Sequence, residues 1–298
     1  MGFLKTLFTG HEETEDEKQE HEAQSQFDIF KYDGIQAMRM GQIDYAIACF
    51  EHALDIQDDD ETMQYYSNVL LHKGDIEEAS EVLEQIHAKH PDDIQTVLTL
   101  AELYFQLERY DQMDEACQEA IQLNDSLATP YYIMAKKQNA QNDLINAVAS
   151  ATKAISKRED FNDPYLLRAK VLFKMQQFAD AEKDADFVLA HQPDDSEPDD
   201  DVLMLKAEIC EASGKTDEAK DFYQQVIAIN PYATKAYMQL GNILHKEGKT
   251  KEAAAMVEEG LKLAPEEMQN ITGQYNNFED KMREAYNALN PYQLGVNL

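Results

Sequence analysis

Apolar residues recur along this chain at helical spacing, in short runs broken by glycine or proline. The stretch Thr234–Glu267, TKAYMQLGNILHKEGKTKEAAAMVEEGLKLAPEE, shows the pattern at its plainest. Tyr237, Leu240, Gly241 and Leu244 share one face of a first predicted helix. Gly248 ends that helix, because glycine enters the left-handed conformation without a steric cost. Ala253, Val257, Gly260 and Leu261 share one face of a second, and Pro265 stops it. Neither helix can bury its apolar stripe alone, so the unit needs neighbours.

The chain supplies six more copies. A small residue is expected where the second helix crosses the first. It falls at Ala46, Ala79, Met113, Ala147, Ala181, Ala219 and Ala253, at intervals of 33, 34, 34, 34, 38 and 34 residues. Met113 is the bulky exception and predicts a splayed or offset third pair. A matching series in the first helices runs Gly34, Ser67, Ala101, Ala135, Ala169, Ala207 and Gly241. Turn residues recur at Gly41, Gly74, Asn142, Gly214 and Gly248, with Glu108 where the third turn glycine belongs. Proline stops come at Pro91, Pro193, Pro231 and Pro265, and aromatic residues open first helices at Phe30, Tyr131, Tyr165 and Tyr237.

In these marks the chain resembles the tetratricopeptide repeat family over about four fifths of its length. It departs from the pattern at Glu108, and at Asp58 and Glu159, where the first and fourth repeats lack the terminal proline. The resemblance implies an all-α fold, a right-handed superhelical α-solenoid of helix-turn-helix repeats. First helices would line its concave face and second helices its convex face. It also implies an adaptor that holds an extended peptide or a partner helix in the groove. Some relatives grip a C-terminal carboxylate with a clamp of lysine, asparagine and arginine. Lys31 and Asn68 match that clamp, but Ile35, Leu98 and Glu102 do not, so the clamp is not expected here.

Three segments follow. Residues 1–26 form an acidic leader, expected to be disordered, with an apolar tip of Phe3, Leu4, Leu7 and Phe8. Residues 27–267 hold seven repeats. Residues 268–298 form a capping helix and tail, with Met268, Ile271, Tyr275, Phe278, Met282, Ala285 and Leu289 on one seam. The same seam, over 268–290, offers a route to a homodimer. An alternative reading is therefore a membrane-associated or dimeric structural assembly factor that uses the tip and the last helix. Between repeats five and six, HQPDDSEPDDD reads as a solvated acidic loop.

Composition narrows the function. The net charge is −32, with 58 acidic against 26 basic residues. Nucleic acid and anionic membrane surfaces are disfavoured as partners, since both require basic contacts. Basic partners fit the outer surface. Cys49, Cys117 and Cys210 lie far apart inside helical patterns and read as buried thiols, which fits a cytoplasmic protein. No phosphate loop, nucleophile elbow or zinc-protease motif occurs, so neither an enzyme nor a cofactor is expected. His87 and His90 sit three apart without a third ligand, and no metal site is predicted.

Projecting the first helices gives the residues that face the groove. Lys136, Lys170 and Lys174 come together beside Tyr132, Leu166 and Phe173, with Asn139 able to bond a peptide backbone. The same projection sets Lys31, Ile35 and Met38 of repeat one, Asn68 and Leu71 of repeat two, Gln95, Leu98 and Glu102 of repeat three, and Asn242 of repeat seven toward the groove. A basic, partly aromatic patch inside an acidic protein points to a protein or peptide ligand carrying acidic groups.

Overall fold

The structure, a computed structural model, describes residues 14–192 and 198–263. The expected capping helix, the apolar tip and Pro193 lie outside the described residues. Fourteen helices and no strand occur among those described. They are α1 (Glu15–Arg39), α2 (Ile43–Ile56), α3 (Asp60–Lys73), α4 (Ile76–Lys89), α5 (Ile94–Gln106), α6 (Tyr110–Leu123) and α7 (Thr129–Ala140). They continue with α8 (Leu144–Lys157), α9 (Asn162–Lys174), α10 (Phe178–Ala190), α11 (Asp200–Ala212), α12 (Thr216–Ile229), α13 (Thr234–Lys246) and α14 (Thr250–Leu263). Odd-numbered helices are the first and even-numbered helices the second of seven repeats. The chain divides within α7 into two compact units, Met1–Met134 and Ala135–Leu298.

The turn inside every repeat is built one way. The residue seven places after the small first-helix residue has a positive φ: Gly41, Gly74, Glu108, Asn142, Gln176, Gly214 and Gly248. This left-handed step lets the next amide reach back to a carbonyl one turn earlier. Asp75 donates to the Leu70 carbonyl at 3.0 Å, and Arg109 to Tyr104 at 2.8 Å. Glu108 (φ 56°) and Gln176 (φ 60°) take the conformation without being glycine. Hydrogen bonding and packing therefore impose the turn even where sequence opposes it.

In the first unit the core runs from Ala37 through Phe50, Leu70, Leu83 and Leu100 to Ile133. The second unit has two clusters, one around Ala169, Val188 and Ile209, the other around Leu203, Tyr223 and Leu240. All seven crossing residues of the second helices are 0% exposed, Met113 among them. The expected splaying is absent. α5 and α6 pack as a pair like the others, and the thioether fills the core beside them.

The leader also differs from expectation. α1 begins at Glu15, inside the acidic run expected to be disordered. Thr14 starts it with a capping box: its hydroxyl accepts from the Glu17 amide at 3.2 Å, and its own amide donates to the Glu17 carboxylate at 2.7 Å. Glu15, Asp16 and Glu17 lie in the first turn, where the helix dipole favours negative charge. The charges that argue for disorder are placed where a helix can use them.

Candidate functional site

First helices supply the candidate surface, and each unit is taken by itself. In the first unit Asn68 is exposed on α3. Further along, α3, α4, α5 and α7 enclose an open cavity of about 530 Å³. Leu71, Gln95, Leu98 and Glu102, all projected onto the groove, line it together. Ile133, 1% exposed, adds to the apolar lining, and Thr99 and Gln106 continue the α5 stripe by one helical turn each. The projection omitted Thr99, Gln106, Ile76 and Ile133. The two α5 residues were legible from the spacing 95, 99, 102, 106, whereas Ile76 and Ile133 enter through packing between repeats.

Lys31 belongs to a structural tie. Its ammonium donates to Asp59 at 2.8 Å and to Glu61 at 2.7 Å, with only 18% of the side chain exposed. Ile35 and Met38 are half-buried against the core. Repeat one thus presents less open surface than its sequence suggests.

In the second unit Lys174 of α9 meets Asn139 of α7, while Lys170, one turn earlier on α9, faces α11. The Lys174 ammonium donates to the Asn139 side-chain carbonyl at 2.8 Å. Lys170 lies 3.8 Å from the Asp201 carboxylate and is 43% exposed. Lys136 is half-buried on α7. Leu166 and Phe173 are half-buried against the core, and Phe173 tilts against Phe178 with ring centres 5.8 Å apart. They form the floor of the patch more than its rim. Tyr132 falls in the first unit, half-buried on the near part of α7. Asn242, on α13, donates to Gln239 at 3.3 Å and is not part of the lysine group.

Charge along these helices alternates. α11 sets Asp201 against Lys170, Glu208 against Lys235, and Glu211 against Lys246 at 3.5 Å. Exposed pairs of this kind are worth about 0–1 kcal/mol each and yield readily to a ligand's own charges. The surface therefore offers both signs in register, with the cations concentrated on α7 and α9.

The other candidates resolve as structure. His90 meets Asp60 at 2.6 Å and His87 meets Glu119 at 3.3 Å, so the two rings serve different partners. Cys49, Cys117 and Cys210 are free and buried. Glu182, Cys210 and Glu218 cluster within 4.8 Å, but Lys215 donates to both Glu182 oxygens at 2.7 and 2.8 Å and supplies the cation there.

Known proteins place this architecture. Residues 128–276 match the family described as tetratricopeptide repeat protein 21 C-terminal ARM domain. Residues 39–120 match anaphase-promoting complex, cyclosome, subunit 3. Human protein O-mannosyl-transferase TMTC1 is 24% identical over 167 residues, which are 56% of this chain and 19% of that protein. The chain thus spans about a fifth of that relative's length. A tetratricopeptide repeat protein from Parabacteroides merdae superposes with a TM-score of 0.62 at 13% identity, covering 88% of this chain and 99% of that one. YrrB, described as a TPR protein with an unusual peptide-binding site, gives 0.53 at 17% identity over 63% and 95%. At such identities the two structures show the fold alone.

Proposed function

Because the chain belongs to the tetratricopeptide repeat family, we propose that it is a non-catalytic scaffold whose first helices hold an extended peptide or a partner helix. The observation that carries this reading is the cavity of the first unit. Residues chosen from sequence because they should face a groove, Leu71, Gln95, Leu98 and Glu102, line one open, largely apolar hollow. Such a hollow accepts an apolar side chain while the glutamines at its edge bond the backbone of the same peptide. In the second unit Lys136, Asn139, Lys170 and Lys174 are the proposed contacts for acidic groups, above the floor of Leu166 and Phe173. Asn68, Tyr132 and Asn242 extend the proposed contact line along their own helices. The peptide-binding site named for YrrB is in keeping with this use of the fold. The transferase named for the human relative concerns a protein of which this chain matches 19%, and carries no activity here.

No described helix is long and apolar enough to cross a membrane. We place the scaffold in the cytoplasm, a compartment that suits three free buried thiols.

Affinity capture from native lysate tests the reading, with wild type run beside Leu98→Asp and beside Lys136→Glu/Lys170→Glu. The expected result is a protein captured by wild type and lost from one or both variants, each variant keeping the wild-type thermal transition. Identical captures from all three would place the binding surface elsewhere and overturn the proposal.

A further inference from the structure

The first helices of the first unit have a second apolar side. At about 3.6 residues per turn, Val97, Leu100 and Tyr104 leave α5 opposite Leu98, Thr99 and Glu102. They line a hollow of about 160 Å³ between α4, α5 and α6, with His87 and Ala116 in its walls. One repeat earlier, α2, α3 and α4 enclose a larger hollow of about 560 Å³. The two are built at one register. Leu54, Met63, Tyr66, Val82 and Gln85 of the larger return 33 or 34 residues later as His87, Val97, Leu100, Ala116 and Glu119 of the smaller. The exposed lining residues, Asp55, Gln85 and Ala88 in one and Gln112 and Glu115 in the other, all belong to second helices.

We propose that this face docks a cationic amphipathic segment of a partner protein. Its apolar side chains enter the two hollows, and its Lys or Arg residues meet the carboxylates around them. Charge selects this occupant. α2, α4 and α6 carry three, four and four Asp or Glu residues, eleven in all, with Lys89 as their one Lys or Arg. The excess is local. α5, packed between them, has Glu102 as its one charged residue, and α8 has Lys153 and Lys157 and no acid. A coat that served solubility alone would not spare those two helices. Lys89 shows how the wall receives a cation: its ammonium donates to Asp58 and, at 2.9 Å, to Asp60, with the Met63 sulfur 3.7 Å away. That end of the larger hollow is thereby neutralised. Asp55, Glu115 and Glu81, which stands at the register of Glu115 one repeat earlier, are the exposed carboxylates that meet the guest's cations. Such charges steer the encounter, and burial of the apolar side chains supplies the affinity. The inference is independent of the peptide-binding reading, since the two hollows share no lining residue with the cavity of Leu71 and Leu98.

The probe is an amphipathic helical peptide of leucine and lysine, titrated into the full-length chain and followed by fluorescence anisotropy and methyl NMR. The expected result is saturable binding that shifts the methyl signals of Leu54, Val82, Val97 and Leu100. Asp55→Lys/Glu115→Lys should weaken it at least severalfold, and so should Ala88→Trp, which crowds the larger hollow. All three positions are exposed, so both variants should keep the wild-type thermal transition. Leu98→Asp, on the other side of α5, should leave the affinity unchanged. A serine–lysine peptide of the same length and charge should bind at least about tenfold more weakly. Equal binding by that peptide would reduce the surface to unspecific charge attraction and overturn the proposal. Methyl shifts confined to Leu71, Leu98 and Ile133 would put the peptide in the opposite cavity, refuting this inference while leaving the groove reading intact. Absence of saturable binding would refute it as well.

Discussion

Arg168 and Asp184 form a two-pronged pair between α9 and α10. The Arg168 Nε and terminal nitrogen donate to the two carboxylate oxygens at 2.7 and 2.8 Å. A third donor reaches the Thr152 hydroxyl on α8 at 2.9 Å. One side chain therefore ties three consecutive helices. The same register recurs: Tyr66 donates to Glu51 at 3.1 Å, and Lys206 pairs with Asp186. In each case a residue just before the small first-helix position reaches the residue five places after the small position of the preceding second helix. Tyr104 uses the matching acceptor, Glu84, at 2.9 Å. Polar ties at one register thus link repeats whose cores are apolar.

Removing one half of the Arg168 pair should be costly. Asp184 is 6% exposed, and Arg168→Ala leaves its carboxylate buried without a cation. The expected loss is about 3–5 kcal/mol, whereas Arg168→Met/Asp184→Leu should cost far less, since no charge is left behind. Urea unfolding followed by circular dichroism measures both. A double variant as unstable as the single one would show that the guanidinium matters through packing and not through its charge.

The left-handed turn residues give a prediction of opposite sign. Glu108 and Gln176 hold φ near 60°, a conformation costing an ordinary residue about 1–2 kcal/mol. Glu108→Gly and Gln176→Gly should each stabilise the chain by about 1 kcal/mol, and Gly74→Ala should destabilise it by a similar amount. Thermal unfolding of the three variants decides, and a lower transition for Glu108→Gly would contradict the reasoning.

Close helix crossing makes Gly34 irreplaceable in place. A Cβ built there lies 2.6 Å from the Phe50 ring, and Phe50 is fully buried. Gly34→Ala should cost about 1–3 kcal/mol through overpacking. Phe50→Leu should recover part of that loss in the double variant, though alone it is destabilising. Purely additive effects in that cycle would mean that methyl and ring do not meet.

The repeat register was legible because two helices can cross closely only over small side chains, so sterics write one position per repeat into the sequence. The seven pairs and their turns follow from it. Met113 shows the limit of that rule, since a flexible thioether is absorbed by neighbours far away in sequence. Gln176 and Glu108 show another: the turn is enforced by backbone hydrogen bonds that residue identity does not reveal. The candidate surface was read less well. Helical projection finds which way a residue faces but not its neighbour across the repeat. It placed Lys31 in the groove, where Asp59 and Glu61 in fact hold it. It grouped the lysines of α7 and α9 without seeing Asp201 beside Lys170.

The Lys31 tie carries a pH dependence whose sign is fixed. Burial raises the Asp59 pKa, but bonds from Lys31 and from the Thr62 hydroxyl and amide outweigh it, and the carboxyl lies below its ordinary value. Burial likewise lowers the Lys31 pKa, and its bonds to Asp59 and Glu61 outweigh that and leave it raised. A lowered carboxyl contributes stability above about pH 4 that is lost as pH falls through its folded value; a raised lysine contributes below about pH 10.4 and loses it only above. The tie is therefore whole between about pH 5 and 10. Asp59→Ala removes both the ion pair and the cap of α3, made to the Thr62 amide at 2.8 Å, and should cost about 1–3 kcal/mol at pH 7. Asp59→Asn keeps a capping oxygen and should lose less. The deficit of Asp59→Ala relative to wild type should shrink between pH 5 and 3, because wild type surrenders the same ion pair there. Urea midpoints across that range measure it, and a deficit unchanged at pH 3 would assign the effect to the cap alone.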